Sequence, residues 1–474
     1  MANEDQFCDN YLSLKPKDAG LLDLLLLLFS SDLKKRSFIE CPEGVRLTNF
    51  CHRWVIFISV VAQRVLFLLR TPLAMVGNVI ELWLNLLSGD VGFLKLSISI
   101  LTGKLTIPDR SSATFTSFVG NIDRRVDLDR SIKPNNRKYY ASLSLMASKL
   151  SYENEAFINS IVTDHWQMEF LRFFDFWNDY QQRFSTQAFL LQDTRANPNV
   201  VVVAFRGTSP FQADDWCTDV DISWFEIPNV GKVHGGFMKA LGLQTNQGWP
   251  KEIDKEKLSS DHPFAYYTIR KMLRELLEKN KGAKFILTGH SLGGALAVLF
   301  ASVLVLHEET WLLERLEGVY TFGQPRVGDR KFGKFMNKNL EKYDVNYWRY
   351  VYSNDIVPRL PYDDRTLLFK HFGPCLYFNS CYKGKVVKEE PNKNYFNLLW
   401  AAPKYTHAVW ELIRSFILPY AKGPDYRESW LSIAVRMVGL VIPGLPAHSP
   451  QDYDNATRLD SLPFNLQPED TFHY

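Results

Sequence analysis

KFILTGHSLGGALAVLFASVLVLHE, residues 284–308, is the stretch on which the fold turns. Residues 284–288 form a short apolar run of strand character, a glycine follows at once, and helical length continues from Leu292 to Glu308. Between them, Gly289-His290-Ser291-Leu292-Gly293 matches G-x-S-x-G, with Gly294 and Ala295 behind it. As a bare pattern this is common. Strand, turn and helix in that order give it meaning, because such a turn holds a serine in a strained conformation with its hydroxyl presented for attack. The glycines are needed where a Cβ would meet neighbouring backbone. The helix that leaves the turn brings N–H groups without intrahelical partners beside Ser291.

Working outward, NVVVVAF (residues 199–205) is a second apolar run and ends at Arg206-Gly207. GVYTF (318–322) and YWRYVY (347–352) read as two further strands. From about residue 138, strands and helices alternate, as an α/β domain with a mostly parallel central sheet requires. The 474 residues are 46% apolar and 14% aromatic, which excludes a disordered or fibrous chain. Fifty-five Lys and Arg against 52 Asp and Glu leave a net charge of +3, with no basic block that would point to nucleic acid. The six cysteines, Cys8, Cys41, Cys51, Cys217, Cys375 and Cys381, lack metal-ligand spacing, although Cys375 and Cys381 lie close enough in sequence to bridge. No metal and no organic cofactor is expected. The first residues are polar and acidic, without a basic region before an apolar stretch, so a reducing, cytosol-facing setting is expected.

The N-terminal part is different in kind. Residues 21–29 (LLDLLLLLF) form a leucine cluster, and residues 54–87 form a long apolar region interrupted by Arg64, Arg70 and Glu81. Thr71-Pro72 stands near its middle, and proline disrupts a continuous helix, so two arms joined there are expected. An arm over residues 54–69 is roughly 24 Å long. A bilayer core needs about 30 Å, so a hairpin or an interfacial pair suits the stretch better than a span. A lipid droplet, with one monolayer around oil, would receive such a shape. A buried helix pair is the plainer alternative, and the apolar character on most faces argues against it.

A serine nucleophile needs a base, and the base a carboxylate that orients it. In α/β hydrolases the chain order is serine, acid, histidine. Asp355, just after the YWRYVY strand in NDIVP, is the candidate acid, against the ordinary use of aspartate in a turn. His371, His407, His448 and His473 follow it, and His473 is penultimate, where chains fray.

GHSLGGALA, with FRGT upstream and YTFGQPRVGD and SNDIVPRLP downstream, resembles the fungal-type (class 3) lipase family over roughly residues 140–460. The apolar N-terminal region and IPGLPAHSPQDYDNATRL are similar, more narrowly, to the plant oil body triacylglycerol lipases. The resemblance implies an α/β-hydrolase fold and an acyl-enzyme mechanism at Ser291. It implies Asp355 as the acid and sets His371 aside as structural. His407 keeps the spacing of the compact fungal enzymes, while His448 stands before a terminal helix with Tyr453 soon after, as in plant relatives. His448 is taken as the base and His407 kept as the alternative. Thr208 and the backbone N–H of Leu292 are the implied oxyanion donors. Residues 210–225 (PFQADDWCTDVDISWF) occupy the place of the family's lid.

These readings divide the chain into an N-terminal apolar lipid-associating region (1–110), a polar connection (111–137) and a hydrolase domain (138–474) with a lipid-facing insertion near 382–444. The expected activity is hydrolysis of acylglycerols, triacylglycerol first among them, at a lipid droplet or membrane surface. A phospholipase A1 or galactolipase is the second reading. A catalytically silent lipid-surface scaffold is the third, and it gives no reason to keep serine, acid and base together.

Overall fold

The computed structural model describes residues 10–30, 36–42, 50–88, 102, 106–129, 132–134, 137–243, 262–361, 363, 369–395, 399, 401–423 and 426–459. His473 lies outside them.

The central sheet has eight strands: β1 (Glu169–Asn178), β2 (Arg183–Asp193), β3 (Val200–Phe205), β4 (Lys284–His290), β5 (Leu316–Phe322), β6 (Asn346–Tyr352), β7 (Cys375–Phe378) and β8 (Gly384–Val387). They stand side by side in chain order. β3 to β7 run parallel. β1, β2 and β8 join antiparallel at the two ends. The four strands legible in the sequence are thus the middle of the sheet. Their side chains alternate between two cores. Val201, Val203, Phe205, Phe285 and Leu287 face one side, while Val200, Val202, Ala204 and Ile286 face the other. Helix α5 (Leu292–Leu306) fills the first side and is buried nearly all round, as its unbroken apolar sequence requires. Helices α3 (Arg137–Leu150) and α8 (Pro450–Leu459) cover the second.

Two features were not legible in the sequence. A second, six-stranded sheet pairs Asn10–Leu14 with Trp224–Ile227, so the N-terminal segment is stitched to the rest of the fold. The apolar region is also one helix, α2 (Phe50–Ser88), with Pro72 inside it, and not two arms. Proline removes a hydrogen bond to the carbonyl four residues back, that of Leu68. Leu68 is 80% exposed and Pro72 is exposed too, so the broken rung faces outward. At 39 residues α2 is roughly 58 Å long, well beyond a bilayer core. Ile56, Ser59, Val60, Gln63 and Leu84 pack inward, while Trp54, Ile58, Leu69, Met75 and Trp83 stay exposed. Cys375 is a buried free thiol and Cys381 an exposed one, without a bridge between them.

Candidate active site

Ser291 stands where β4 ends and α5 begins, at φ 58° and ψ −131°. Few L-residues adopt this left-handed conformation, and it stores about 1–3 kcal/mol of strain that the surroundings must impose. The imposing contacts are specific. The Ser291 N–H donates to Phe322 O on β5 at 2.8 Å. A Cβ on Gly293 would lie 2.2 Å from Phe205 O, so only glycine lets α5 approach β3 this closely.

The side chains that meet there come from three loops at one end of the parallel strands. Ser291 Oγ lies 2.7 Å from His448 Nε2. His448 Nδ1 lies 2.8 Å from Asp355 Oδ2 and 3.0 Å from Oδ1. Asp355, fully buried after β6, also accepts the Val357 N–H at 2.9 Å and the Tyr453 hydroxyl at 2.6 Å. With both oxygens engaged, the carboxylate cannot rotate. Gly323, at φ 60°, clears the space: a Cβ there would come within 3.0 Å of both His448 and Asp355. The structure therefore brings Ser291, Asp355 and His448 together. His407 lies on α6 (Ala401–Lys422), where its Nδ1 accepts from the Asn354 amide at 2.8 Å. His371 donates from Nε2 to Pro358 O at 2.6 Å.

Four supporting residues escaped the sequence reading. His290, inside the G-x-S-x-G turn, donates from Nε2 to His448 O at 2.8 Å, and its Nδ1 accepts from the Tyr152 hydroxyl at 2.8 Å. Burial, with the nearby His448 adding to it, holds His290 well below the ordinary imidazole range and so neutral, as this bonding requires. Arg359, almost fully buried, donates to Ser353 O at 3.0 Å and to Asp355 O, pinning the turn that carries the carboxylate. An arginine four residues after Asp355, inside the SNDIVPRLP motif, was the available signal for it. Asp219 accepts from the Thr208 hydroxyl at 2.5 Å. Loss of water around Asp219 pushes its carboxyl up to about 7, against the Thr208 bond and with help from Asp215.

Asp219 belongs to α4 (Ala213–Val220), the helix inside residues 210–225. This helix is held from two sides. Arg206, just after β3, grips Asp215 at 3.0 Å. Arg70 on α2 makes a bidentate pair with Asp214 at 2.8–2.9 Å, and Ser59 Oγ donates to Val220 O at 2.6 Å. The Phe211 ring packs edge-on against Phe118, 5.2 Å between centroids.

Helix α8 carries Tyr453 and, beside it, Asp452. Asp452 accepts from Arg436 at 2.9 Å, Arg414 at 3.2 Å and the Tyr382 hydroxyl at 2.6 Å, all buried. Burial alone would raise the Asp452 carboxyl, but the two guanidiniums outweigh it and hold it below the usual carboxylate range. Asp452→Ala leaves both arginines buried with part of their charge uncompensated. It should cost about 3–5 kcal/mol, read as a lowered urea midpoint.

The Lipase (class 3) family model matches residues 202–365, which contain Thr208, Ser291 and Asp355 but not His448. The chain is 41% identical to Triacylglycerol lipase OBL1 of Arabidopsis thaliana, over 95% of each chain. It is 43% identical to the Nicotiana tabacum protein of that name, over 86% of this chain and 83% of the relative. The Ricinus communis protein of that name is 37% identical over 95% of each. With 37–43% identity over most of each chain, this chain belongs to the triacylglycerol lipase OBL1 family of class 3 lipases.

Proposed function

We propose that this chain hydrolyses acylglycerol esters, triacylglycerol first, at the surface of a lipid droplet, through an acyl-enzyme on Ser291. The observation that carries the reading is the unbroken hydrogen-bond chain from Ser291 through His448 to Asp355. His448 Nε2 takes the proton as Ser291 Oγ attacks the ester carbonyl. Asp355 holds the Nδ1 proton and stabilises the imidazolium. The alcohol leaves with the proton from His448, and water, activated by the same imidazole, releases the fatty acid. Leu292 opens α5, so its N–H is directed at the developing oxyanion, and Thr208 supplies the second donor. The α4 helix, whose Asp219 bonds Thr208 directly, serves as the lid over this site.

The names of the relatives support triacylglycerol as the substrate and the oil body as the place. The exposed apolar side of α2 supports attachment at the cytosolic face of the monolayer, with residues 1–110 as the attaching region. The test is a panel of emulsified tri-, di- and monoacylglycerol beside phosphatidylcholine and galactolipid, with Ser291→Ala as the blank. Release of fatty acid from triacylglycerol above the blank is expected. Release from phospholipid or galactolipid alone would replace the reading with a phospholipase A1 or galactolipase, and release from none of them with a scaffold.

A further inference from the structure

Helix α6 is built inside out. Along its 22 residues the side turned into the protein carries Lys404, Glu411, Arg414 and Ser415, all buried, with only Ala408 apolar among them. The side turned outward carries Tyr405, Val409, Ile413, Phe416 and Tyr420, at helical spacing, with Trp410 and Ile417 beside them. A surface helix of a protein in water has the opposite polarity. Here Tyr420 is 92% exposed and Phe416 57%.

The polar side is not misplaced, because each charge has a fixed partner. Arg414 donates to the hydroxyls of Tyr352 at 2.5 Å and Tyr382 at 2.9 Å, and reaches Asp452. Glu411 accepts from Tyr352 at 3.3 Å, and Lys404 donates to Tyr395 O. The helix is rooted by these bonds and cannot roll to hide its apolar stripe. Helix α7 (Trp430–Val438) repeats the arrangement. Arg436 points in, to Glu428 at 2.6 Å and Asp452 at 2.9 Å, while Trp430, Met437 and Val438 point out. Val441 and Ile442 continue the exposed surface towards the catalytic loop.

We infer that α6 and α7 form a second lipid-docking element, one that seats the catalytic loops on the same oil surface that holds α2. The inference rests on the lipase reading above and says where its surface is met. Three observations favour a lipid surface over a protein partner. First, α7 is packed directly on α2 through the buried contact of Leu84 with Ile122 and Leu431, so the helix that carries the other large set of exposed apolar side chains is its neighbour; the cleft of about 520 Å³ beside that contact is polar as well as apolar, with Asp123, Arg124 and Glu428 next to Leu87 and Trp430. Second, Tyr405, Trp410, Tyr420 and Trp430 are rings with one apolar body and one polar atom, the kind that settle where lipid meets water. Third, α6 is roughly 33 Å long, enough to lie flat in a monolayer with its stripe submerged.

The same element is fastened to the reacting groups. His407 on α6 takes the amide of Asn354, the neighbour of Asp355. Ile356 N–H donates to Gly444 O at 3.3 Å, and the Tyr395 hydroxyl donates to Pro443 O, four and five residues before His448. Asp452 joins Arg414 and Arg436 to the helix that holds Tyr453 against Asp355. A surface that seats α6 therefore sets the height of the triad above the oil.

The test uses the full chain carrying Ile413→Glu, Phe416→Glu and Ile417→Glu together, all at exposed positions away from the triad. Substrates are triolein droplets coated with phosphatidylcholine and, in solution, p-nitrophenyl butyrate. Hydrolysis of coated triolein should fall at least tenfold, with flotation on the droplets reduced and the soluble ester cleaved as before. The intact soluble activity shows that the variant is folded. Unchanged triolein hydrolysis and flotation would overturn the inference. So would equal losses on both substrates, which would place the stripe in the structure of the site and not at its surface. Light scattering of both proteins supplies the remaining arm: a wild-type dimer that the substitutions split, with droplet activity retained, would assign the stripe to a second copy of the chain. Failure of the lipase reading itself is separate, since it would show as absent triolein hydrolysis by the unsubstituted protein.

Discussion

His448→Ala should lower kcat on triacylglycerol by a factor on the order of 10⁵ to 10⁶, as far as Ser291→Ala does, whereas His407→Ala should change it less than about threefold. The magnitudes follow from the way a serine and its base act as one unit: losing either member costs about as much as losing both. The contrast follows from position. His448 Nε2 is 2.7 Å from Ser291 Oγ and its Nδ1 is held by Asp355, so no other group can accept the serine proton along that line. His407 has its Nδ1 occupied by the Asn354 amide. Burial also holds it below the ordinary imidazole range. Its loss removes one bond to the residue before Asp355 and nothing from the reaction coordinate. The double variant His407→Ala/His448→Ala should match His448→Ala alone. A large loss from His407→Ala with His448→Ala active would reverse the assignment.

Asp355→Asn should reduce kcat about 10⁴-fold while leaving the fold and the substrate KM nearly unchanged. The size is that expected when the orienting carboxylate of such a triad becomes an amide. The structure shows why the amide must act through the tautomer. Oδ1 receives the Val357 N–H, a fixed donor that accepts only an oxygen opposite it. The amide NH₂ is therefore driven to the Oδ2 position, facing His448 Nδ1 at 2.8 Å and the Tyr453 hydroxyl at 2.6 Å. Two donors cannot share that contact, so Nδ1 becomes the acceptor and the proton moves to Nε2. Nε2 then faces Ser291 with a proton it already holds. The check is kcat and KM measured separately, with circular dichroism to confirm the fold. A loss confined to KM would mean that Asp355 orders the substrate pocket and not the imidazole.

How much of this could be read beforehand differs by residue, and the reason is range. Ser291 is legible because its strand, turn and helix are consecutive in the chain. Asp355 is legible because it follows a strand that declares itself. His448 is not local to either, and residues 382–444, lying before it, break the spacing of shorter relatives. Only the folded contact at Nδ1 separates it from His407. Tyr152 and His290 act on the triad through one shared bond over 138 positions, which no periodicity records. The pairing of Asn10–Leu14 with Trp224–Ile227 spans even more chain. For α6 the difficulty is of another sort. A lipid-facing insertion near 382–444 is expected from its composition, but the apolar spacing says only that those residues share a face, and it is Arg414, Glu411 and their partners that turn the opposite face of α6 inward.

Pro72 shows the complementary limit. The rule that proline interrupts a helix holds for the lost rung at Leu68, yet the helix continues because that rung faces outward.

The grip of α2 on α4 has a practical meaning for anyone who wants this protein in water. Removing residues 54–87 to gain solubility would strip Asp214 of its Arg70 fork and Val220 of its Ser59 bond, leaving α4, and with it the Asp219 partner of Thr208, without its hold from α2. A shortened protein would then report altered turnover and altered location together, and neither could be credited to lipid attachment. Helix α2 is a structural member of the protein and not a detachable tag. Detergent or reconstituted droplets, with the chain left whole, are the conditions under which its chemistry can be measured.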